Sequence, residues 1–543
     1  MRRSFPLALS TLAVLAAGPL AAQKIQPTPQ VPLTVSVKPW GPSQEKLDAA
    51  REKLLASAEI RSRLSTDNRL LWFDMVWPEE KVNGSYVAPD HFRATFYDYG
   101  KKQPFVFEGH LDAPESPELL PRPTDEPDPN TAEYEAATAI VKADSRFATA
   151  IAERRLSFYP PMPPLVTGQK NRTLTVGVIS LDPGSRANEI LGVDMITKEV
   201  TRYAAGAPMK SMASPNAGCG APNAGQATTA KGTAGQFEVV VTQGPTEIWR
   251  LVVVRPSASS GLRGSGVELI NVDYKGKRIL SRAHAPILNV QYVNDACGPY
   301  RDWQYQEGFF SATGTDVANG VRQCTAPPSV ILENGTDTGN FKGIAYWVSG
   351  SDIRLVSELE AGWYRYITDF RLLGNGTIQP RFGFGGVNNT CICNVHNHHV
   401  YWRFDFDVAG TTNRITEDRL FGGVLLAKEL SRKRDGKTTW TISNPLTNES
   451  YRLVPGGRDS VADKYGRNDI WFLKSKVNEV EDGVNCTSGG SCQTWANIDK
   501  FVTAESIQDT DVIVWYGAHF VHDEVNGQAE DHVVGPDFIL KRW

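Results

Sequence analysis

From Phe237 to Trp543 the chain is a succession of short segments in which apolar and polar residues alternate, broken by Gly and Asn, with little that carries a helical period. Alternation places every second side chain on one face of a strand, and strands of this kind bury that face by packing sheet against sheet. The pattern predicts a large antiparallel β-sandwich. With what precedes it, the expected fold class is mainly β: this sandwich behind two small α/β (α+β) domains.

The first half is organised differently. Residues 1–22 begin Met1-Arg2-Arg3, continue apolar from Phe5 to Leu20 and end Ala21-Ala22, the pattern of a secretory signal peptide. A Pro-rich tail to about Trp40 and a helical stretch from Gln44 to Leu64 fill 23–65. Alternating segments around Leu70–Val76, His91–Tyr97 and Pro104–Leu111 predict a small domain over 66–112, and the Pro-rich acidic run from Ala113 to Asn130 closes it off. A helix from Ala132 to about Ala152, then strands around Leu174–Ser180 and Glu189–Asp194, predict a second over 131–206. Residues 207–236, rich in Gly, Ala, Ser, Thr, Asn and Pro, read as a linker to the sandwich over 237–543.

Length and composition narrow the function. With 543 residues, 41% of them hydrophobic, the chain can bury a large core divided among several domains. A net charge of −4 with no dense Lys/Arg stripe leaves no electrostatic footprint for nucleic acid. No segment after the signal is apolar over the roughly 18 residues a spanning helix needs, so the expectation is a secreted or periplasmic protein without a membrane span. Seven cysteines in an exported chain imply disulfides and at least one thiol left over or bridging chains. Cys486 and Cys492 enclose a short Gly/Ser loop and are the expected pair, while Cys391 and Cys393 read as disulfide cysteines rather than copper(I) ligands.

The chemistry-bearing feature is the run His396-Asn397-His398-His399-Val400-Tyr401-Trp402. On a strand, His396 and His398 share a face and either pack there or grip one metal ion. A third imidazole, His522, follows the strand-like Val512-Ile513-Val514-Trp515. Three neutral imidazoles suit copper(II). His399 falls on the opposite face, and His519 lies just before His522; both are bystanders or supports for the ligands.

Several spaced motifs together resemble the copper amine oxidase family. Trp363-Tyr364-Arg365-Tyr366, followed by Asn375-Gly376-Thr377-Ile378-Gln379, is similar to the family's cofactor strand and the segment after it. The histidine pair is followed by Arg403, Asp405 and Asp407 at the family's distance, and His522 lies seven residues beyond Trp515, where the family's third copper histidine falls. Trp440-Thr441-Ile442-Ser443-Asn444-Pro445, Asn468-Asp469-Ile470-Trp471 and the stretch from Glu133 to Asp144 also resemble family segments, so the likeness spans nearly the whole mature chain.

The resemblance implies a secreted enzyme that oxidises a primary amine with dioxygen to an aldehyde, releasing ammonia and hydrogen peroxide. It places copper(II) on His396, His398 and His522 and assigns Tyr364 as the tyrosine converted to topaquinone. It makes Glu307, or failing that Asp302, the catalytic base, with Tyr305 at the channel gate and Tyr292 hydrogen-bonding the quinone. It also implies a peripheral calcium site on Asp405, Asp407, Asp511 and the carbonyls of Phe406 and Val512, and a homodimer. Trp363 and Arg365 depart from the family, which carries Asn before the cofactor tyrosine and an acid after it; Arg365, if it faced the channel, would disfavour a cationic substrate tail. Two other readings keep the fold: a copper oxidase without the quinone, and a non-catalytic extracellular binding protein.

Overall fold

The computed structural model describes residues 31–123, 126–161, 165–166, 169–182, 188–202, 219–221, 231–292, 299–389, 391–420, 422–459, 468–482, 496–522 and 533–543. The signal-like segment, the loop holding Cys486 and Cys492, and most of 207–236 lie outside them.

Two large, mainly antiparallel sheets carry the sandwich. In the ten-stranded sheet the neighbours Glu268–Tyr274, Lys277–Tyr292, His396–Phe406, Val512–His522 and Ile470–Lys474 run side by side. In the eleven-stranded sheet Asp352–Ala361, Tyr364–Leu372 and Ile378–Gly386 form the centre. One continuous apolar core joins the two, with Leu288, Val400, Phe404 and Val514 from the first sheet and Leu355, Phe370, Phe382 and Phe384 from the second. The fold is mainly β, as the alternation predicts.

The tail before Trp40 departs from the sequence reading. Leu33–Pro39 is an edge strand of the ten-stranded sheet, with Leu33 opposite Gln243 and Pro39 opposite Phe237. Leu33, Val35 and Val37 alternate and pack on the core, and Pro39, which has no N–H to donate, falls on the strand's last residue.

Two four-stranded sheets precede the sandwich strands. Asn68–Val76, His91–Asp98, Gln103–His110 and Glu118–Leu119 form one, covered by helices Gln44–Ala56 and Ala58–Arg63 through Leu47, Leu54 and Ile60. Its core continues into Val252, Val254 and Ile270, so it packs directly on the sandwich. Leu156–Tyr159, Thr173–Ser180, Asn188–Asp194 and Val200–Arg202 form the other, packed on helix Thr131–Ala143 through Ala137 and Val141. That helix starts where Asn130 Oδ1 accepts the Glu133 N–H at 2.8 Å, and it stops short of the expected Ala152 because Asp144 Oδ1 takes the Arg146 N–H at 2.9 Å. A 3₁₀ turn and a short helix complete the span.

A disulfide joins Cys219 to Cys393, just before the histidine strand, and Cys391 is also disulfide-bonded. Cys324 is a buried free thiol. Among the described residues no helix is long and apolar enough to cross a membrane.

Candidate active site

Strand pairing builds the imidazole cluster. His396–Phe406 lies between Lys277–Tyr292 and Val512–His522, and the antiparallel register sets Tyr292 opposite His396 on one side and His522 opposite it on the other. Residues opposite one another share a face, so His396, His398, His522 and Tyr292 all turn inward, and all four are buried. The ring centre of His396 stands 4.8 Å from that of His398 and 4.8 Å from that of His522. An ion about 2.0 Å from each donor nitrogen sits about 3 Å from each ring centre, and two such rings near a right angle have centres between about 4.5 and 5 Å apart. The donor set and its spacing fit a transition metal such as copper(II).

The facing sheet brings the tyrosine. Tyr364 opens its strand with its ring 5.6 Å from His396 and 5.3 Å from His398. Phe384, on the next strand, lies 4.1 Å from His398 and 4.8 Å from His522 and closes the cluster with a carbon wall. The Tyr364 hydroxyl hydrogen-bonds the Tyr292 hydroxyl, and the Trp363 indole N–H donates to that same Tyr292 oxygen at 3.0 Å. Trp363 therefore supplies a donor at the position where the family carries an amide. Burial alone pushes the Tyr364 phenol well above its ordinary pKa, so it is neutral at working pH.

Arg365 does not face this cluster. Successive strand residues point to opposite sides, and its guanidinium makes a two-point pair with Asp337, Nε to Oδ1 at 2.7 Å and Nη2 to Oδ2 at 3.0 Å. Its charge is neutralised within the protein, which removes the ground for its repelling a cationic substrate tail.

The two candidate carboxylates stand in different settings. Asp302 is buried and accepts the Tyr366 hydroxyl, which lies 3.4 Å from His398 Nδ1, while its Oδ1 has no hydrogen-bond partner among the described residues. Burial raises its pKa to about 7, against the opposing pull of the Tyr366 hydroxyl and the Arg263 charge. Glu307 is engaged elsewhere: Arg255 clasps its carboxylate with Nε to Oε1 at 2.8 Å and Nη2 on Oε2, and the Ser257 N–H adds 3.2 Å to Oε1. Both partners are buried, so Glu307→Ala would strand the Arg255 charge and is expected to cost about 3–5 kcal/mol in denaturant unfolding without changing copper uptake.

Tyr305 lines a cavity of about 600 Å³ between the first four-stranded sheet and the sandwich, whose wall also includes Trp72, Trp77, Arg263 and Glu481. Its ring meets Trp72 edge-on at 5.5 Å. On the far face of the histidine strand, His399 and His519 meet through their Nδ1 atoms at 2.9 Å, and His519 Nε2 reaches Asp469 Oδ1 at 2.9 Å. That linkage braces the two strands that carry the cluster.

The three peripheral carboxylates expected to hold calcium come together around a lysine. Asp405, Asp407 and Asp511 converge, and Lys81 Nζ sits among them at 2.7, 2.8 and 2.9 Å. Phe406 and Val512 face each other in the strand ladder beside it. Nothing in the local sequence around Lys81 signals this role, nor the Arg255–Glu307 and Arg365–Asp337 pairs, because each partner is remote in the chain.

The sequence matches no protein-family model and no curated protein. Among solved structures the chain is similar to a copper-containing benzylamine oxidase from Hansenula polymorpha, with 11% identity, TM-score 0.58, and 91% of this chain and 96% of that one covered. It is similar to an Aspergillus nidulans amine oxidase at 13% identity and TM-score 0.56, covering 92% and 88%. A Pichia pastoris lysyl oxidase matches at 12% identity and TM-score 0.56, covering 92% and 90%. At such identities the likeness concerns the fold, and the fold of this chain is that of the copper amine oxidases.

Proposed function

We propose that this protein is an exported copper- and topaquinone-dependent oxidase that converts a primary amine, with dioxygen and water, into an aldehyde, ammonia and hydrogen peroxide. The observation that carries this reading is the convergence of three buried imidazoles from two paired strands beside the ring of Tyr364. Copper(II) held by His396, His398 and His522 would supply the oxygen chemistry that turns Tyr364 into a quinone, whose carbonyl takes up the amine.

The chain's own groups account for positioning and proton transfer. Tyr292, held by the Trp363 N–H, fixes the oxygen of Tyr364 and with it the orientation of the ring. Asp302, rather than Glu307, is the proposed base, because it stands at the tyrosine and histidine cluster with one carboxylate oxygen uncommitted among the described residues. It takes the proton from the carbon bearing the amine. Tyr305 and Arg263 line the large cavity and would border a substrate approach from it. Burial of the whole group keeps bulk water from the reacting atoms. Export is supported by the signal-like start and the Cys219–Cys393 disulfide, and a homodimer by the resemblance.

Phenylhydrazine titration tests the proposal. Copper-loaded, air-exposed protein is expected to form a coloured adduct approaching one per chain, and protein kept free of copper is expected to form none. No adduct despite stoichiometric copper would shift the reading to a copper oxidase without the quinone.

A further inference from the structure

The carboxylate cluster lies at the far end of the strands that carry the imidazoles. His396 pairs with His522 at one end and Phe406 with Val512 at the other, ten residues along, or roughly 34 Å at about 3.4 Å per residue. At that end an ammonium has three N–H donors for three carboxylates, and Lys81 Nζ uses them on Asp405 Oδ1, Asp407 Oδ2 and Asp511. The Lys81 side chain is 8% exposed, and Asp405 and Asp407 are buried with it. Tyr86 adds a hydroxyl to Asp405 Oδ2 at 2.9 Å, and Ser281 donates another to Asp407.

The residues around Lys81 are shaped to hold it there. Val82 and Ser85 pair across Asn83 and Gly84, whose φ values of 51° and 75° make the tight two-residue turn that an Asn-Gly sequence favours. The turn is docked on the sandwich: Asn271 bonds both the N–H and the carbonyl of Tyr86, Arg278 reaches the Gly84 carbonyl, and the Arg282 guanidinium lies 4.0 Å from the Tyr86 ring centre. Burial opposes the charge on Lys81, but the three carboxylates outweigh it and hold its pKa above the usual lysine value. A calcium ion needs oxygens at about 2.3–2.6 Å, in the space the ammonium fills.

We propose that Lys81 is the resident cation of this cluster, a tethered ammonium standing where a hard divalent ion would otherwise be required. The first four-stranded sheet is thereby tied to the catalytic strands by the chain itself, and the junction owes nothing to calcium. The inference is independent of the reading of the imidazole site. Trp77 and Glu79, which line the large cavity, lie four and two residues before Lys81, so the same clamp fixes one wall of that cavity.

The test is titration of the full-length protein with terbium(III), a calcium mimic whose emission would be sensitised through Tyr86, together with thermal unfolding with and without calcium. Wild type is expected to show no saturable emission that Asp407→Asn abolishes. Millimolar calcium is expected to move its unfolding midpoint by less than about 1 °C. Lys81→Ser is expected to unfold on the order of 5 °C lower, to gain one saturable terbium site that calcium displaces, and to recover most of the lost stability with calcium. Adding Asp407→Asn should remove the gained site. Saturable binding by wild type that Asp407→Asn abolishes would overturn the proposal, as would a folded Lys81→Ser that acquires no ion. If Lys81→Ser does not fold, the wild-type titration still decides.

Discussion

Copper-loaded Tyr364→Phe is expected to form no phenylhydrazine adduct and to turn over no primary amine, a loss on the order of 10⁶-fold, the scale seen when a covalent catalytic group is deleted. The substitution removes one hydroxyl from a buried ring and leaves that ring against His396 and His398. Tyr292 keeps the Trp363 N–H as a partner, so the expected stability cost is only about 1 kcal/mol. Copper uptake should match wild type, because Tyr364 is not one of the three imidazole donors. The measurement pairs a hydrogen peroxide assay with metal analysis of the same sample. An adduct or turnover in the variant would place the carbonyl chemistry on another residue and sink the assignment.

Asp302→Asn is expected to lower kcat/KM by about 10²–10⁴-fold, the usual contribution of a positioned base, while the phenylhydrazine adduct still forms. The pH profile gives a second readout. Burial raises the Asp302 pKa to about 7, and only the ionised carboxylate can accept a proton. In wild type kcat/KM should therefore climb as pH rises through about 7, and that limb should be absent from the variant. The sign for stability is opposite. A carboxyl whose folded pKa lies above its unfolded value stabilises the protein most when protonated and loses that contribution as pH rises, so at pH 8 burial penalises the wild-type ion. Asp302→Asn should then be at least as stable as wild type at that pH, which separates lost chemistry from lost folding. An unchanged profile in Asp302→Asn, with Glu307→Gln inactive, would return the role to Glu307.

Much of this was legible in the chain before any coordinates. The alternation beyond Phe237 announces a sandwich because a strand's side-chain period is two, and the same period puts His396 and His398 on one face. The position of His522 was legible through resemblance alone; its place opposite His396 follows from the antiparallel register of two strands distant in sequence. For Asp302 and Glu307 local sequence was a poor guide, since both are carboxylates in one short segment. What distinguishes them is Arg255, 52 residues from Glu307, which leaves one acid locked in an ion pair and the other beside Tyr366.

The sequence by itself determined the strand-rich character beyond Phe237 and the shared face of the histidine pair, because these depend on periodicity within a few residues, whereas Tyr364 was singled out by resemblance alone. The tertiary structure alone decided which charges meet. Lys81 reaches Asp405 across 324 residues, and Arg365 turns away from the cluster to Asp337. A buried charge must find its counter-charge wherever the fold brings one, and that partner is set by packing between sheets rather than by anything in the neighbouring sequence.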